Sequence, residues 1–222
     1  MERDLKIVVV DYGAGNLRSV ARALSHAGVD PLVTEDPEAL KGAHGVILPG
    51  VGAAGSAMSG LTARRLVDPL RAYVQSGRPL LGVCLGLQVL LSWSEEDGGV
   101  ECLGLIPGRV VRFPPGLKIP HIGWNQVNQT AAHPIFAEIP DGADFYFVHG
   151  YYPVPDDPAA VIGTTEYGVR FASVIAKANV VATQFHPEKS ARDGLQIYQN
   201  FANWVSAVAN GENLPSYAGV RS

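Results

Sequence analysis

One cysteine in this sequence stands in a pattern that is typical of a nucleophile. Cys84 is the centre of Gly82-Val83-Cys84-Leu85-Gly86, between an apolar run and a helical pattern. Glycines two positions to either side permit the tight strand-to-helix turn that projects a nucleophile above a sheet edge. The N-terminus of the following helix would favour the thiolate. The alternative is a buried structural cysteine, which is how we interpret Cys102.

A base and an orienting group follow a second β-rich run, in Gln184-Phe185-His186-Pro187-Glu188-Lys189-Ser190. His186 and Glu188 are two residues apart, so on an extended chain they would share a face. Pro187 excludes a regular ladder and stiffens the turn. The carboxylate can then hold one ring nitrogen while the other faces the sulfur. The pattern predicts a catalytic triad of Cys84, His186 and Glu188, with His121 and His149 as secondary candidates.

A glycine-rich loop, Pro49-Gly50-Val51-Gly52, ends another apolar run. Its glycines permit backbone N–H groups to point into a site, as an oxyanion hole requires. The N–H of Leu85, directly after the nucleophile, would be the second donor. The alternative is an ordinary surface loop.

The first half of the chain alternates strand and helix patterns, and the second half is rich in short β runs. This order predicts a single α/β domain with a mostly parallel central sheet, flanking helices and an added antiparallel β section. We place the domain at residues 1–210 and a polar tail at 211–222. The predicted strands are 6–10, 30–33, 45–48, 79–83, 109–113, 145–148, 160–164, 171–176 and 180–185; the predicted helices are 17–28, 66–76, 85–93 and 194–208.

Composition narrows the function further. The chain has 222 residues, 47% of them apolar and 17% charged, with a net charge of −4. Scattered Lys and Arg make nucleic-acid binding a poor fit, and no apolar run is long enough to cross a membrane. The two cysteines have no metal-type spacing. We therefore expect a cytoplasmic enzyme without a metal or cofactor.

These motifs resemble those of the class I, triad-type glutamine amidotransferases, in which the cysteine motif and the His-Pro-Glu motif occur together. Within the class, the sequence is most similar to the glutaminase subunit of imidazole glycerol phosphate synthase. Four segments carry this narrower resemblance, which runs from about Val8 to Ser190: Asp11 to Asn16, Pro49 to Gly52, Pro120 to Asn125, and Tyr146 to Tyr152.

The resemblance implies a glutaminase that passes ammonia to a separate (β/α)8-barrel cyclase subunit in a heterodimer. It also implies roles for residues in this sequence. Gly52 and Gln88 would contact glutamine, Val51 would lie near the oxyanion, and the backbone at Gly150 and Tyr151 would hold the α-carboxylate. The positions that match the partner interface are Asn16, Trp124, Tyr146 and Lys189.

The sequence departs from the family pattern at two positions. Leu87 stands where Met is frequent, a volume-conserving change that we expect to be harmless. Gly150 stands where Ser or Thr usually follows the histidine, which would lower glutamine affinity if that hydroxyl binds substrate.

Other functions remain open at this point. A glutaminase of the anthranilate type would usually carry His at position 87, and the pyridoxal phosphate type would show Gly-Gly-Glu-Ser-Thr near Pro49. A silent regulatory module of the same fold would not need Cys84, His186 and Glu188 together. A cysteine hydrolase acting on esters or peptides would leave the Gln184 to Ser190 segment unexplained.

Overall fold

The computed structural model describes residues 5–13 and 15–212 of the chain. Ala14 and residues 213–222 of the expected polar tail lie outside the described residues. The predicted domain boundary at residue 210 stays a prediction. The strands are β1 Ile7–Val10, β2 Leu32–Thr34, β3 Gly45–Leu48, β4 Leu80–Val83, β5 Trp93–Ser94, β6 Val100–Glu101, β7 Gly108–Arg112, β8 His121–Gln129, β9 Ala143–His149, β10 Tyr151–Pro155, β11 Val161–Tyr167, β12 Val169–Lys177 and β13 Val180–Thr183.

Five α-helices accompany these strands in the described part of the chain: α1 Leu17–His26, α2 Ala54–Ala63, α3 Val67–Gln75, α4 Leu85–Leu90 and α5 Ala191–Ala209. Short 3-10 turns complete the secondary structure, and the one at Pro187–Lys189 belongs to the functional site. None of the helices formed by residues 5–13 and 15–212 is both long and apolar enough to cross a membrane.

The principal sheet has nine strands in the order β2-β1-β3-β4-β13-β12-β11-β8-β9. The strands from β2 to β13 run parallel to one another, and those from β13 to β9 are antiparallel. A smaller sheet has the order β10-β7-β5-β6. This architecture confirms the predicted α/β fold with a parallel core and an antiparallel addition.

The parallel strands β1, β3, β4 and β13 are buried along their whole length. Residues that alternate along each strand contribute to two different hydrophobic clusters. On one face Val9 and Ile47 belong to the cluster that includes residues of α1 and α5, and on the other Val8 and Leu48 join residues of α2 to α4. Burial on both faces explains why these strands read as unbroken apolar runs.

Some of the predicted elements differ from the structure. The helix expected over 85–93 ends at Leu90, because backbone N–H groups of Leu105 and Ile106 bind the Leu90 carbonyl and the chain enters β5. The run at 180–185, which the sequence places in the antiparallel β section, forms β13, which is antiparallel to β12 but parallel to β4.

Candidate active site

Cys84 lies in the turn between β4 and α4, with φ of 53° and ψ of −107°. A non-glycine residue at positive φ is uncommon and costs conformational energy. The neighbouring glycines make this turn sterically possible. A Cβ on Gly86 would overlap the Leu48 carbonyl oxygen, and one on Gly82 would lie 2.7 Å from Leu90 Cδ1. The sequence Gly-x-Cys-x-Gly thus folds as the tight turn that its spacing predicts.

His186 and Glu188 are brought next to this turn because β13 is the neighbour of β4. The Nδ1 atom of His186 lies 2.7 Å from Oε1 of Glu188, and both side chains are only 1% exposed. Pro187–Lys189 forms a 3-10 turn, which confirms that Pro187 excludes a regular strand ladder here. Proline can begin such a turn without losing a hydrogen bond. The turn, rather than a shared strand face, joins the two side chains.

The charge state of His186 depends on its neighbours. Burial alone would lower the pKa of His186, but the Cys84 thiolate and Glu188 together raise that pKa to about 10. Its other ring nitrogen, Nε2, is buried and has no hydrogen-bond partner among the described residues. This nitrogen is therefore the one available to the sulfur. The raised pKa favours the imidazolium form of His186 at neutral pH.

Glu188 has two further partners, so its carboxylate is held on both oxygens. The side-chain amide of Asn16 donates to Oε1, and the Tyr198 hydroxyl donates to Oε2 at 3.2 Å. Asn16, expected at a partner interface, therefore also contacts the carboxylate of the predicted triad. Sequence reasoning missed Tyr198, because its place on the apolar face of α5 marks it only as a core residue.

A cavity of about 150 Å³ opens beside Cys84. This is well below the roughly 300–1,000 Å³ of pockets for drug-sized ligands, so it suits a molecule the size of an amino acid. The structure brings most of the predicted site residues to its wall. The lining residues are Val51, Gly52, Cys84, Leu85, Gln88, Glu96, Val148, His149, Gly150, Tyr151 and His186.

Glu96 is a cavity residue that the sequence did not reveal. Its Oε2 accepts a hydrogen bond from the Ala54 backbone N–H at 2.7 Å, at the start of α2. The pKa of Glu96 is raised overall, because burial raises it by more than the hydrogen bond from Ala54 lowers it. The negative charge of Asp97 raises it further. A run of acidic residues at 95–97 looks like a solvated loop in sequence, and only the tertiary structure turns one of them toward the cavity.

The glycine-rich loop packs tightly against its surroundings. A Cβ on Gly50 would overlap the Tyr12 hydroxyl, and Gly52 has a φ of 97° that favours glycine. Gly50 therefore lets the loop lie against Tyr12, with Val51 and Gly52 in the cavity wall. These observations explain why the loop needs glycines, whether or not it supplies oxyanion donors.

Gly150, which stands where the family usually has Ser or Thr, has little space for a side chain. A Cβ at this position would lie 3.2 Å from Ile119 Cγ2, which is tighter than ordinary contact. A side chain here would require Ile119 to move. Leu87, the other departure, is fully buried in the cluster between the sheet and α2 to α4.

Three of the four residues expected at the partner interface form one group. The rings of Trp124 and Tyr146 are 6.2 Å apart and nearly perpendicular, and Lys189 Nζ lies 5.9 Å from the Tyr146 ring centre. Trp124 is 54% exposed, and Ile122 beside it on β8 is 58% exposed. Exposed large apolar side chains that cluster in this way are typical of interaction surfaces.

Across residues 5–13 and 15–212, no group of three or more His, Cys, Asp or Glu could hold a metal ion.

Comparison with known proteins identifies the class to which this fold and site belong. Residues 8–204 match the family described as glutamine amidotransferase class-I, and the chain belongs to this family. The structure of PurLQS from Thermotoga maritima has the same fold, with a TM-score of 0.72 at 20% identity, covering 91% of this chain and 99% of that one.

Two relatives define the narrower family, and both are named imidazole glycerol phosphate synthase subunit HisH. The relative from Dehalococcoides mccartyi is 50% identical over 195 residues, which cover 88% of this chain and 95% of the relative. The relative from Moorella thermoacetica is 51% identical over 204 residues, covering 92% and 97%. Within its class the chain belongs to the HisH family, which confirms the resemblance inferred from sequence. The anthranilate and pyridoxal phosphate alternatives receive no support from these relatives.

Proposed function

We propose that Cys84 is the nucleophile, His186 the base and Glu188 the orienting carboxylate of this glutamine amidotransferase. The chain is the glutaminase subunit of an imidazole glycerol phosphate synthase and hydrolyses glutamine to glutamate and ammonia. One observation carries the assignment of the triad. His186 binds Glu188 through Nδ1 at 2.7 Å, while its buried Nε2 has no hydrogen-bond partner among the described residues and lies next to a cysteine at a strained strand-to-helix turn.

The reaction proceeds in two stages. His186 accepts the thiol proton of Cys84, and the thiolate attacks the carboxamide carbon of glutamine. Backbone N–H groups at Val51 or Gly52 and at Leu85 stabilise the oxyanion. His186 returns the proton to the departing nitrogen, so that ammonia leaves and a thioester remains. Water, deprotonated by His186, then hydrolyses the thioester, releasing glutamate and restoring the thiol.

Glutamine recognition uses the rest of the cavity wall. The Glu96 carboxylate is the negatively charged lining group and binds the α-ammonium of the substrate. The backbone around Gly150 and Tyr151 binds the α-carboxylate. Gln88 Nε2 already donates to the Tyr151 carbonyl and to Gln184 Oε1, at 3.1 Å each, so its Oε1 is the atom left for the substrate.

The ammonia is passed to a second subunit, since the relatives are named as one subunit of the synthase. We take that partner to be a (β/α)8-barrel cyclase, which forms imidazole glycerol phosphate and an aminoimidazole carboxamide ribotide. The surface on which the cyclase docks is formed by Trp124, Tyr146, Lys189 and Asn16. Docking orients Val51 or Gly52 toward the oxyanion, so the isolated chain is nearly inactive. We also expect the protein to be cytoplasmic, as the sequence predicts.

The test is a glutaminase assay of Cys84→Ala with the cyclase and its phosphoribulosyl substrate present. Glutaminase turnover should fall by several orders of magnitude, because triad members act as a unit. Cys102→Ala is the matched control, since Cys102 is also a buried free cysteine but does not line the cavity. Near-parental turnover in Cys84→Ala would sink the triad assignment.

A further inference from the structure

A side-chain amide touches the predicted nucleophile from the neighbouring strand. In the pairing of β4 and β13, Val83 lies opposite Thr183, so the next residues, Cys84 and Gln184, leave the sheet side by side. Gln184 is fully buried, and its Nε2 lies 3.8 Å from Cys84 Sγ. Gln184 takes no part in the steps proposed above for glutamine hydrolysis.

The orientation of the Gln184 amide follows from a backbone carbonyl. The Tyr151 carbonyl can only accept, so the Gln88 atom 3.1 Å from it must be the NH₂ group. The same NH₂ group lies 3.1 Å from the Gln184 amide and donates to it, which makes that atom the Gln184 oxygen. The Gln184 NH₂ group is therefore the end that contacts the sulfur.

A second chain of hydrogen bonds ends on the same Tyr151 carbonyl. His149 Nδ1 is 2.7 Å from it and must donate, so His149 Nε2 accepts from His121 Nδ1 at 3.1 Å. His121 Nε2 in turn accepts from the Asn125 amide at 3.3 Å. Burial lowers the pKa of His149 to about 3 and that of His121 to about 4. Both rings are neutral near pH 7, so each has one donor and one acceptor and the chain runs in a single direction.

We propose that Gln184 is a further catalytic residue, whose amide N–H donates to the Cys84 sulfur and stabilises the thiolate. His149 and His121 are positioning residues, because they hold the Tyr151 carbonyl that orients Gln88 and hence Gln184. A hydrogen bond to an ionised acceptor is about twice as strong as one between neutral groups, so the contact favours the thiolate over the thiol. The inference rests on the proposed function, since it takes Cys84 as the nucleophile.

Several titratable groups share the surroundings of Cys84. Three of them, His186, Glu96 and His149, line the same cavity. Glu188 contacts the Nδ1 side of the His186 ring, and the negative charge of the Cys84 thiolate raises the pKa of Tyr12. His186 is the only one of these five that can be a cation next to the sulfur at neutral pH. The Gln184 amide adds a donor that carries no charge and is present at every pH at which the protein folds.

The test measures the sulfur directly, through the rate at which iodoacetamide alkylates Cys84 at pH 7. A Cys102→Ser background leaves Cys84 as the only thiol. Gln184→Met keeps the side-chain length but removes both the donor to the sulfur and the acceptor for Gln88 Nε2, and alkylation should slow about tenfold. Thr183→Val is the matched control. Thr183 directly precedes Gln184, and the substitution removes its buried hydrogen bond to the Phe185 carbonyl but no contact with the sulfur. Its rate should stay within about twofold of the parent.

The second readout is glutaminase activity with the cyclase present, where kcat should fall about tenfold. If Gln184→Met does not fold, His121→Phe replaces it, since Phe can keep the stacking on Tyr167 and Phe147 while removing the donor to His149. Alkylation at the parental rate in the folded variant overturns the proposal. Alkylation requires no glutamine, so an altered rate in an enzyme that never hydrolyses glutamine would refute the proposed function alone.

Discussion

The Tyr198 hydroxyl donates a hydrogen bond to Glu188 Oε2 at 3.2 Å, from a fully buried position on α5. The opposite carboxylate oxygen binds His186. A helix of the fold's outer layer therefore helps to orient the carboxylate of the predicted triad.

Tyr198→Phe should lower kcat and leave KM unchanged. A hydrogen bond to a charged group contributes about 1.5–3 kcal/mol, and losing about 1.4 kcal/mol of it in the transition state lowers kcat about tenfold. Steady-state kinetics with the cyclase present provides the measurement. Tyr73→Phe is a suitable control, because Tyr73 is also buried but bonds backbone carbonyls of His44 and Pro79. Equal kinetic effects in the two variants would contradict a specific role for Tyr198.

Glu96→Gln should raise KM for glutamine and change kcat little. The substitution keeps an acceptor for the Ala54 N–H but removes the negative charge that we propose binds the α-ammonium. Losing one partner of such a charge pair costs about 2 kcal/mol or more, or roughly a thirty-fold rise in KM. Glu95→Gln is the matched control, since Glu95 accepts from the Arg112 N–H and does not line the cavity. An unchanged KM in Glu96→Gln would remove Glu96 from substrate binding.

Gly86→Ala should destabilise the protein by more than about 3 kcal/mol, because the new methyl group would overlap the Leu48 carbonyl oxygen. The free energy of unfolding in urea measures this effect. Gly42→Ala serves for comparison, since its Cβ would meet only the flexible end of Lys6, at 3.4 Å. A Gly86→Ala protein as stable as Gly42→Ala would show that the turn at Cys84 is looser than the structure indicates.

Acidification should destabilise the fold below about pH 6.5. Burial lowers the pKa of His121 and His133 to about 4 and that of His149 to about 3. The unfolded chain then binds protons that the folded chain does not, so stability is present above pH 6.5 and is lost as pH falls toward 4. Each histidine contributes a slope of up to about 1.4 kcal/mol per pH unit. The free energy of unfolding in urea, measured between pH 4.5 and 7, should depend less steeply on pH in His121→Phe than in the parent. An identical pH dependence would show that the pKa of His121 is not lowered by folding.

Trp124→Ala should weaken binding of the cyclase at least about thirty-fold, since exposed aromatic residues at the centre of interfaces contribute about 2 kcal/mol or more. Titration calorimetry with the purified cyclase measures the affinity. Trp93→Ala is the control, because Trp93 is also partly exposed, at 39%, but belongs to the smaller sheet. Equal loss of affinity in both variants would place the docking surface elsewhere.

Most of the parallel core follows from the sequence. Strands β1, β3 and β4 are short apolar runs bounded by turn residues, and such runs can only be covered on both faces. Strand β8 was not predictable from periodicity, because neither of its faces carries a regular apolar pattern and its large apolar residues Ile122 and Trp124 are exposed. Helix α2 was missed as well, since its small residues show little helical periodicity and it begins without a side-chain cap.

The sequence by itself predicted the chemistry. The residues Cys84, His186 and Glu188, their spacing and the flanking glycines predict a thiol nucleophile with a base and an orienting carboxylate, because these residue types at these spacings suit few other reactions. Only the tertiary structure decided which other side chains join them. Glu96, Gln184 and Tyr198 carry no local signal of these contacts, since a hydroxyl, amide or carboxylate acquires such a partner only when strand register and helix packing bring distant parts of the chain together.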